Sequence, residues 1–445
     1  MFVKNIKLEN FRGIKSAEIF FDGKSAVLFG ENGMGKSTVL DAIDILLFRI
    51  IKKVMNPLEE SLKYRGIKRT DVTIGEKKTS LQLNLVMKAN VNKEYSYGRY
   101  LEVSEWKHRF DGKAFHKIVD DFLFNYVGVI LPSALKEEEE FFDEEQETEM
   151  LVLNDENMPI YVNYGVHRYV RSNVLKELDE KKSYEKFDAF DKKMQATVDF
   201  SMFFNWFRLR QEYENSIKVE DSTFYDKQLD AVRKAILEVL GDEFETVKMR
   251  VNPLNFMAVK KGMELNLEQL SEGEKCTLAL VGDLARRLAI ANPSRENPLE
   301  GTGIVLLDEV DLHLHPKWQL KIVPLLQEIF PNIQFIFTTH SPKVLGELDD
   351  TISIFELKEM DGEIEVIKRP SMQGWDTNYI LKEFMDTPNL SEKASKLIRS
   401  IRDNIKEENY DKADELVDQL CEMTDGLNEE VVRARAIIAR RRRNL

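Results

Sequence analysis

The chain has 445 residues and a formal net charge of −14, too long for one simple core and too acidic for a uniformly basic nucleic-acid surface, although a local basic groove stays open. No apolar run approaches the ~18 residues of a membrane span, so no membrane partner is expected. Cys276 and Cys421 are the only cysteines and suggest neither disulfides nor a metal set, and MFVKNIKLEN lacks a signal peptide's apolar core, so a reducing cytoplasm is expected.

In chain order, FVKNIKLENF (residues 2–11) alternates as a strand does, and SAVLFG (25–30) is a short apolar strand ending in a glycine-rich loop. Beyond the loop Val39, Leu40, Ile43, Leu46, Leu47 and Ile50 recur at helical spacing, which predicts a long buried helix. TSLQLNLVMK (79–88) alternates strictly, and YGRYLEV and EWKHRF extend the same antiparallel piece. Residues 131–158 hold the run EEEEFFDEEQETE (137–149), expected to be a solvated loop or mobile insertion. MPIYVNYGVHRYV (158–170) returns to strand character. From 175 to 245 the chain reads as charged and helical; Phe187, Phe190, Met194, Phe200, Phe203, Phe204 and Trp206 are expected to pack between helices rather than stack bases. VKMRVNP, NFMAVKKG and MELNLEQL read as strands, followed by a helix over 273–291. GIVLLDE (303–309) and IQFIFTTHS (333–341) are nearly continuous apolar runs, as buried parallel strands require, with a crossover helix at 317–330 between them. From 391 three amphipathic helices are predicted, the first marked by Ala394, Leu397, Ile398, Ile401 and Ile405, and the basic end ARRRRNL is expected to fray.

The motifs carry the chemistry. Residues 30–37, GENGMGKS, fit G-x-x-x-x-G-K-[ST] between a strand and a helix. Glycines let backbone N–H groups turn toward phosphate oxygens, and the helix N-terminus adds partial positive charge. Lys36 should reach the β- and γ-phosphates and Ser37 should ligate Mg²⁺; Asn32, Gly33, Gly35 and Thr38 complete the nucleotide-contacting candidates. Asp308 and Glu309 end an apolar strand, where Asp308 can hold the Mg²⁺ shell opposite Ser37 and Glu309 can accept a proton from attacking water. In LSEGEK, Ser271 and Glu274 form a capping box, and with Gly273 the turn is also an anion site. His340 follows a buried strand, well placed for a γ-phosphate. His313, His315 and His340 lack further ligand spacing and predict no metal site.

The order of phosphate loop, LSEGEK signature, Walker B LLDE, D-loop VDLHLHP and TTHS switch resembles the ABC-type ATPases of the SMC and RecF group. The resemblance implies an α/β P-loop ABC-type head with a helical insertion and a helical C-terminal tail. It implies a first lobe over 1–130, an acidic loop, lobe-one strand and insertion over 131–245, a second lobe over 246–370, and a tail for oligomer or partner contacts over 371–445. It also implies ATP and Mg²⁺ as cofactors, Lys36, Glu309 and His340 as catalytic residues, and Arg12 of ENFRGI near the nucleotide. Ser271 and Gly273 would complete a partner's pocket in trans, with Asp311 at the junction, in a homodimer or higher homo-oligomer of head-to-tail dimers. No Q-loop glutamine is evident; Gln82 sits mid-strand. The insertion is too short for SMC arms, and no Toprim carboxylate set follows residue 370, so the chain is not expected to be a nuclease by itself. PIYVNYGVHRYV, DLHLHPKWQ and GWDTNYILKEFMDTP are similar to stand-alone anti-phage ATPases, Septu and retron-associated, which work with an HNH-type nuclease. The alternatives are a RecF-like ATPase that binds DNA in repair and an ATP-stabilised scaffold with little turnover.

Overall fold

The computed structural model describes residues 1–58, 66–88, 92–102, 107–127, 157–168, 170, 175, 183–190, 197–198, 200–385, 391–424 and 429–442. The acidic run, Met194 and the end of GWDTNYILKEFMDTP lie outside the described residues. The chain divides into two compact units, Met1–Gly374 and Trp375–Leu445.

The first unit begins with strands β1 (Phe2–Phe11), β2 (Ile14–Phe20) and β3 (Ala26–Phe29), then helix α1 (Lys36–Met55). Next come β4 (Lys78–Lys88), β5 (Asn92–Glu102), β6 (Lys107–Phe110) and α2 (Gly112–Tyr126), a helix capped by the Asp111 carboxylate. The strands β2-β1-β4-β5-β6 form one antiparallel sheet. Gln82 lies there, donating to Ser96 across β4 and β5 at 2.7 Å.

Beyond lie β7 (Ile160–Tyr164), the short parallel pair β8 (His167–Arg168) and β9 (Thr197–Val198), and helices α3 (Ser201–Lys218) and α4 (Lys227–Leu240). A three-stranded sheet of β10 (Phe244–Val251), β11 (Leu254–Lys260) and β12 (Met263–Asn266) leads into α5 (Glu272–Ala291). Phe203, Phe204 and Phe207 of α3 surround Phe256 of β11, with ring centroids 5.2–6.2 Å away. Phe190, Phe200 and Trp206 are buried as well, so these rings are core and form no stacking platform.

The last segment runs β13 (Gly303–Leu307), α6 (Pro316–Gln319), α7 (Ile322–Ile329), β14 (Ile333–Thr339), α8 (Pro342–Leu345), β15 (Ser353–Met360) and β16 (Glu363–Arg369). The expected crossover helix is thus two short helices, broken at Leu320 and Lys321. The central sheet has the order β16-β15-β3-β14-β13-β7, parallel except for β16. Every residue of β3, β13 and β14 is buried, which explains the apolar runs of β3 and β13 and requires Gln334, Thr338 and Thr339 of β14 to find hydrogen-bond partners. The Gln334 amide ties this sheet to the antiparallel one by accepting from Val3 N at 2.7 Å and donating to Val3 O and Lys24 O at 2.9 and 3.0 Å.

Helix α5 is buried continuously from Cys276 to Ala291. It therefore has to bury charge, and it does so as a set: Asp283 accepts from Arg286 at 2.8 Å, Arg287 at 2.7 Å and the Tyr164 hydroxyl at 2.8 Å. Burial alone would raise the Asp283 pKa, but the two guanidinium groups prevail and hold it at about 2.

The second unit contains α9 (Thr377–Phe384), α10 (Glu392–Lys406), α11 (Tyr410–Met423) and α12 (Glu429–Arg442). Ala394, Ile398, Ile401 and Ile405 face Val417, Leu420, Ala434 and Ile438 in one apolar cluster. The basic end does not fray before Arg442: Arg440–Arg442 close α12, where Arg442 pairs with Asp411 at 2.7 Å and Asp414 at 2.9 Å. Among the described residues no helix is long and apolar enough to cross a membrane.

Candidate nucleotide-binding site

Strand β3 delivers the chain into the glycine loop. Gly30 adopts φ +144° because a Cβ there would lie 2.2 Å from the Leu357 carbonyl oxygen of β15. Gly33 and Gly35 follow at φ +84° and +86°, the left-handed region that lets the loop turn its amides to one side. Asn32, Gly33 and Ser37 are open to solvent and Thr38 is half-buried. Helix α1 then starts at Gly35 with no side-chain cap and no acid in its first turn. Its N-terminal amides and dipole are left for an anion to satisfy.

Lys36 is only 6% exposed, and its ammonium donates to Gly30 O at 3.0 Å and Glu31 O at 2.8 Å. Burial pushes its pKa down to about 8, against the pull of Asp308, Glu309 and Asp311. A buried ammonium at an uncapped helix start is a fit for a polyphosphate.

The carboxylates arrive from the neighbouring strands. β13 and β14 run parallel and end side by side, which places Asp308 and Glu309 beside Thr338, Thr339 and His340. The Thr338 hydroxyl donates to Asp308 Oδ1 and accepts the Glu309 N–H at 2.7 Å. Ser37 Oγ donates to the same Asp308 oxygen at 3.1 Å. These two hard oxygen ligands suit Mg²⁺. Thr339 donates to Asp311, and Ser341 N–H donates back to Thr339 at 2.9 Å. Burial and the charge of Lys36 lower the His340 pKa, against the pull of the nearby carboxylates.

One further side chain reaches this turn. Arg168 of β8, 5% exposed, donates to the backbone carbonyls of both Asp308 and Glu309, and to Gly165 O at 3.1 Å. Burial lowers its pKa from the ordinary guanidinium value.

The signature turn caps α5. Ser271 Oγ accepts the Glu274 N–H at 3.3 Å and donates to Glu274 Oε2 at 2.8 Å; Lys260 holds the other Glu274 oxygen at 2.8 Å. The hydrogen bonds of Ser271 thus stay within its own turn, although the residue is exposed. A Cβ on Gly273 would lie 3.0 Å from His313 O, so this glycine lets the signature helix approach the loop after Asp311.

A family model described as "AAA domain, putative AbiEii toxin, Type IV TA system" matches residues 25–346. The chain belongs to this AAA-domain family. It is 27% identical to the "Retron Ec83 probable ATPase" of Escherichia coli over 92% of this chain and 81% of that protein. It is 24% identical to the Septu protein PtuA of Bacillus thuringiensis, over 86% of this chain and 84% of that one. Among solved structures, the SmcHead bound to the C-winged helix domain of ScpA aligns with 83% of this chain and 98% of its own, at 16% identity and a TM-score of 0.46.

In this AAA domain, Lys36, Ser37, Asp308, Glu309, Asp311 and His340 lie together at the carboxyl ends of parallel strands. Arg12 is engaged elsewhere, pairing with Asp71 at 2.9 Å and with Asp41 of α1 at 2.7 Å. Ser271 and Gly273 belong to the α5 turn, and Gly273 meets the loop after Asp311 at His313. Sequence reading nominated neither Thr338 nor Arg168. Thr338 could have been found from TTHS, since a buried hydroxyl next to paired carboxylates needs partners; for Arg168 only its place after a buried strand gave a signal.

Proposed function

We propose that this AAA-domain protein is a Mg²⁺-dependent ATPase that closes as a head-to-tail dimer on ATP and regulates a partner nuclease in an anti-phage complex. One observation carries the reading: Lys36, Ser37, Asp308, Glu309 and Thr338 form one connected set at the uncapped start of α1.

The loop amides and Lys36 grip the β- and γ-phosphates. Ser37 and Asp308 would hold Mg²⁺, which when bound neutralises charge on the phosphate oxygens. Glu309 accepts the proton of the attacking water, and His340 donates a hydrogen bond toward the γ-phosphate. Each chain has one phosphate loop and one signature turn, so two chains enclose two nucleotides. The solvent-open Ser271 then leaves Glu274 for the partner's γ-phosphate, with Gly273 and Asp311 at the junction. The names of the retron and Septu relatives support the defence context, and the helical second unit offers a surface for oligomer or HNH-type nuclease contacts.

Phosphate release with Mg²⁺ tests the reading. Glu309→Gln should lower turnover by about 10²-fold or more with nucleotide binding retained, and Lys36→Met should abolish binding. ATP should convert a lighter species to a dimer or its multiple by mass measurement, and Ser271→Arg should block both closure and turnover. Full-rate hydrolysis by a strict monomer indifferent to Ser271 would sink the dimer. A wild-type chain that releases no phosphate would sink the enzyme.

A further inference from the structure

We infer that Arg168 is a positioning residue for hydrolysis: its guanidinium clamps the Asp308–Glu309 peptides by their carbonyl oxygens and thereby aims the Glu309 carboxylate. The inference rests on the reading of Glu309 as the base.

A buried guanidinium is costly unless several acceptors meet it, and removing it from water for stability alone favours a carboxylate partner. The hydrogen bonds of Arg168 go instead to neutral carbonyls of Gly165, Asp308 and Glu309, while the carboxylates of Asp308, Glu309 and Asp311 act on its charge only through space. Two of the three belong to the adjacent catalytic carboxylates. The planar fork of arginine can address two successive carbonyls at once, which a lysine ammonium cannot do with the same fixed geometry.

Glu309 is a non-glycine residue at φ +48°, a state that persists only where its surroundings fix it. Here the surroundings are complete. The Asp308 N–H donates to Tyr164 O at 2.9 Å and the Glu309 N–H to Thr338 Oγ1 at 2.7 Å. Both carbonyls of the pair point at Arg168. Removing the guanidinium frees two of these four backbone groups and lets the left-handed turn relax, which swings the carboxylate off line.

Arg168 O accepts from the Cys276 thiol at 3.7 Å. Cys276 stands in the second turn of α5, the helix begun by Ser271 and Gly273. The clamp therefore joins the signature helix to the catalytic peptide within one chain, in addition to the Gly273–His313 approach.

The test uses the full chain with Arg168→Met and Arg168→Lys. Arg168→Met should lower kcat by about 10²-fold, the effect of a misplacement near 1 Å, with binding of a fluorescent non-hydrolysable ATP analogue retained and KM little changed. Arg168→Lys, which keeps the charge and loses the fork, should fall between. In single-turnover assays, adding Arg168→Met to Glu309→Gln should slow the reaction no further, because the arginine acts through the glutamate. An additional slowing of the same size in the Glu309→Gln background would overturn the clamp, as would an unchanged kcat in either Arg168 variant. If Arg168→Met does not fold, as judged by its urea transition, Arg168→Lys decides alone: wild-type kcat refutes the inference. An inert wild-type chain would instead strike down the ATPase reading, and this inference with it.

Discussion

Replacing Thr338 by Val keeps the shape of the side chain and deletes one hydroxyl. Thr338 is 0% exposed, so no water takes that place. Two bonds are lost together: the donation to the Asp308 carboxylate and the acceptance of the Glu309 N–H. A hydrogen bond to a charged group contributes about 1.5–3 kcal/mol and a neutral one about 1 kcal/mol, so Thr338→Val should cost about 2.5–4 kcal/mol. Thr338→Ser retains the hydroxyl and should cost about 1 kcal/mol for the missing methyl. Urea unfolding followed by tryptophan fluorescence measures both, since Trp206 and Trp318 lie in the first unit. The same pair separates stability from chemistry. With Asp308 free to turn from Ser37, the valine variant should need more Mg²⁺ for half-maximal phosphate release, while the serine variant should not. Valine and serine variants that unfold within about 0.5 kcal/mol of each other, with equal Mg²⁺ requirements, would refute the role given to this hydroxyl.

Gly30→Ala should destabilise the first unit by about 3 kcal/mol or more, since its Cβ would lie 2.2 Å from Leu357 O, and soluble yield with the urea midpoint reports it. Asp283→Asn should cost about 3–5 kcal/mol by leaving Arg286 and Arg287 buried without a counter-charge. Because the folded Asp283 pKa is depressed from 3.8 to about 2, its contribution is present above pH 3.8 and is lost as pH falls toward 2. At ~1.4 kcal/mol per pKa unit it amounts to roughly 2 kcal/mol, and this share of the acid loss should be missing in Asp283→Asn; identical acid limbs would refute it. Ile401→Asp places a charge in the core of the second unit and should abolish its resistance to limited proteolysis.

The legible parts of this molecule were those written locally. The glycine loop, the alternating strand 79–88, the nearly continuous apolar runs before Asp308 and His340, and the Ile398–Ile401–Ile405 stripe each state their own environment over a few residues. Long-range partners leave no such trace. Arg168 binds main-chain oxygens about 140 positions away, and any residue has a carbonyl, so no side chain at the far end announces the contact. Ser271 read as a capping box, and it is one; that its hydroxyl proton is held by Glu274 depends on a rotamer. The terminal arginines looked like a loose end because their anionic partners, Asp411 and Asp414, sit one helix earlier. The break in the crossover helix also escaped, since Trp318 and Ile322 continue an apolar pattern across it.

The strand that feeds the phosphate loop is flanked on both sides by late arrivals. Ala26 pairs with Ile336 on one edge and Ser353 on the other, and Val3 is tied to Gln334 across 331 positions. During synthesis at about 5–20 residues per second, this apolar strand waits roughly 15–60 s for its neighbours. The sheet on which the phosphate loop is mounted can therefore close only once Ile336 and Ser353 have been made, well after the loop itself.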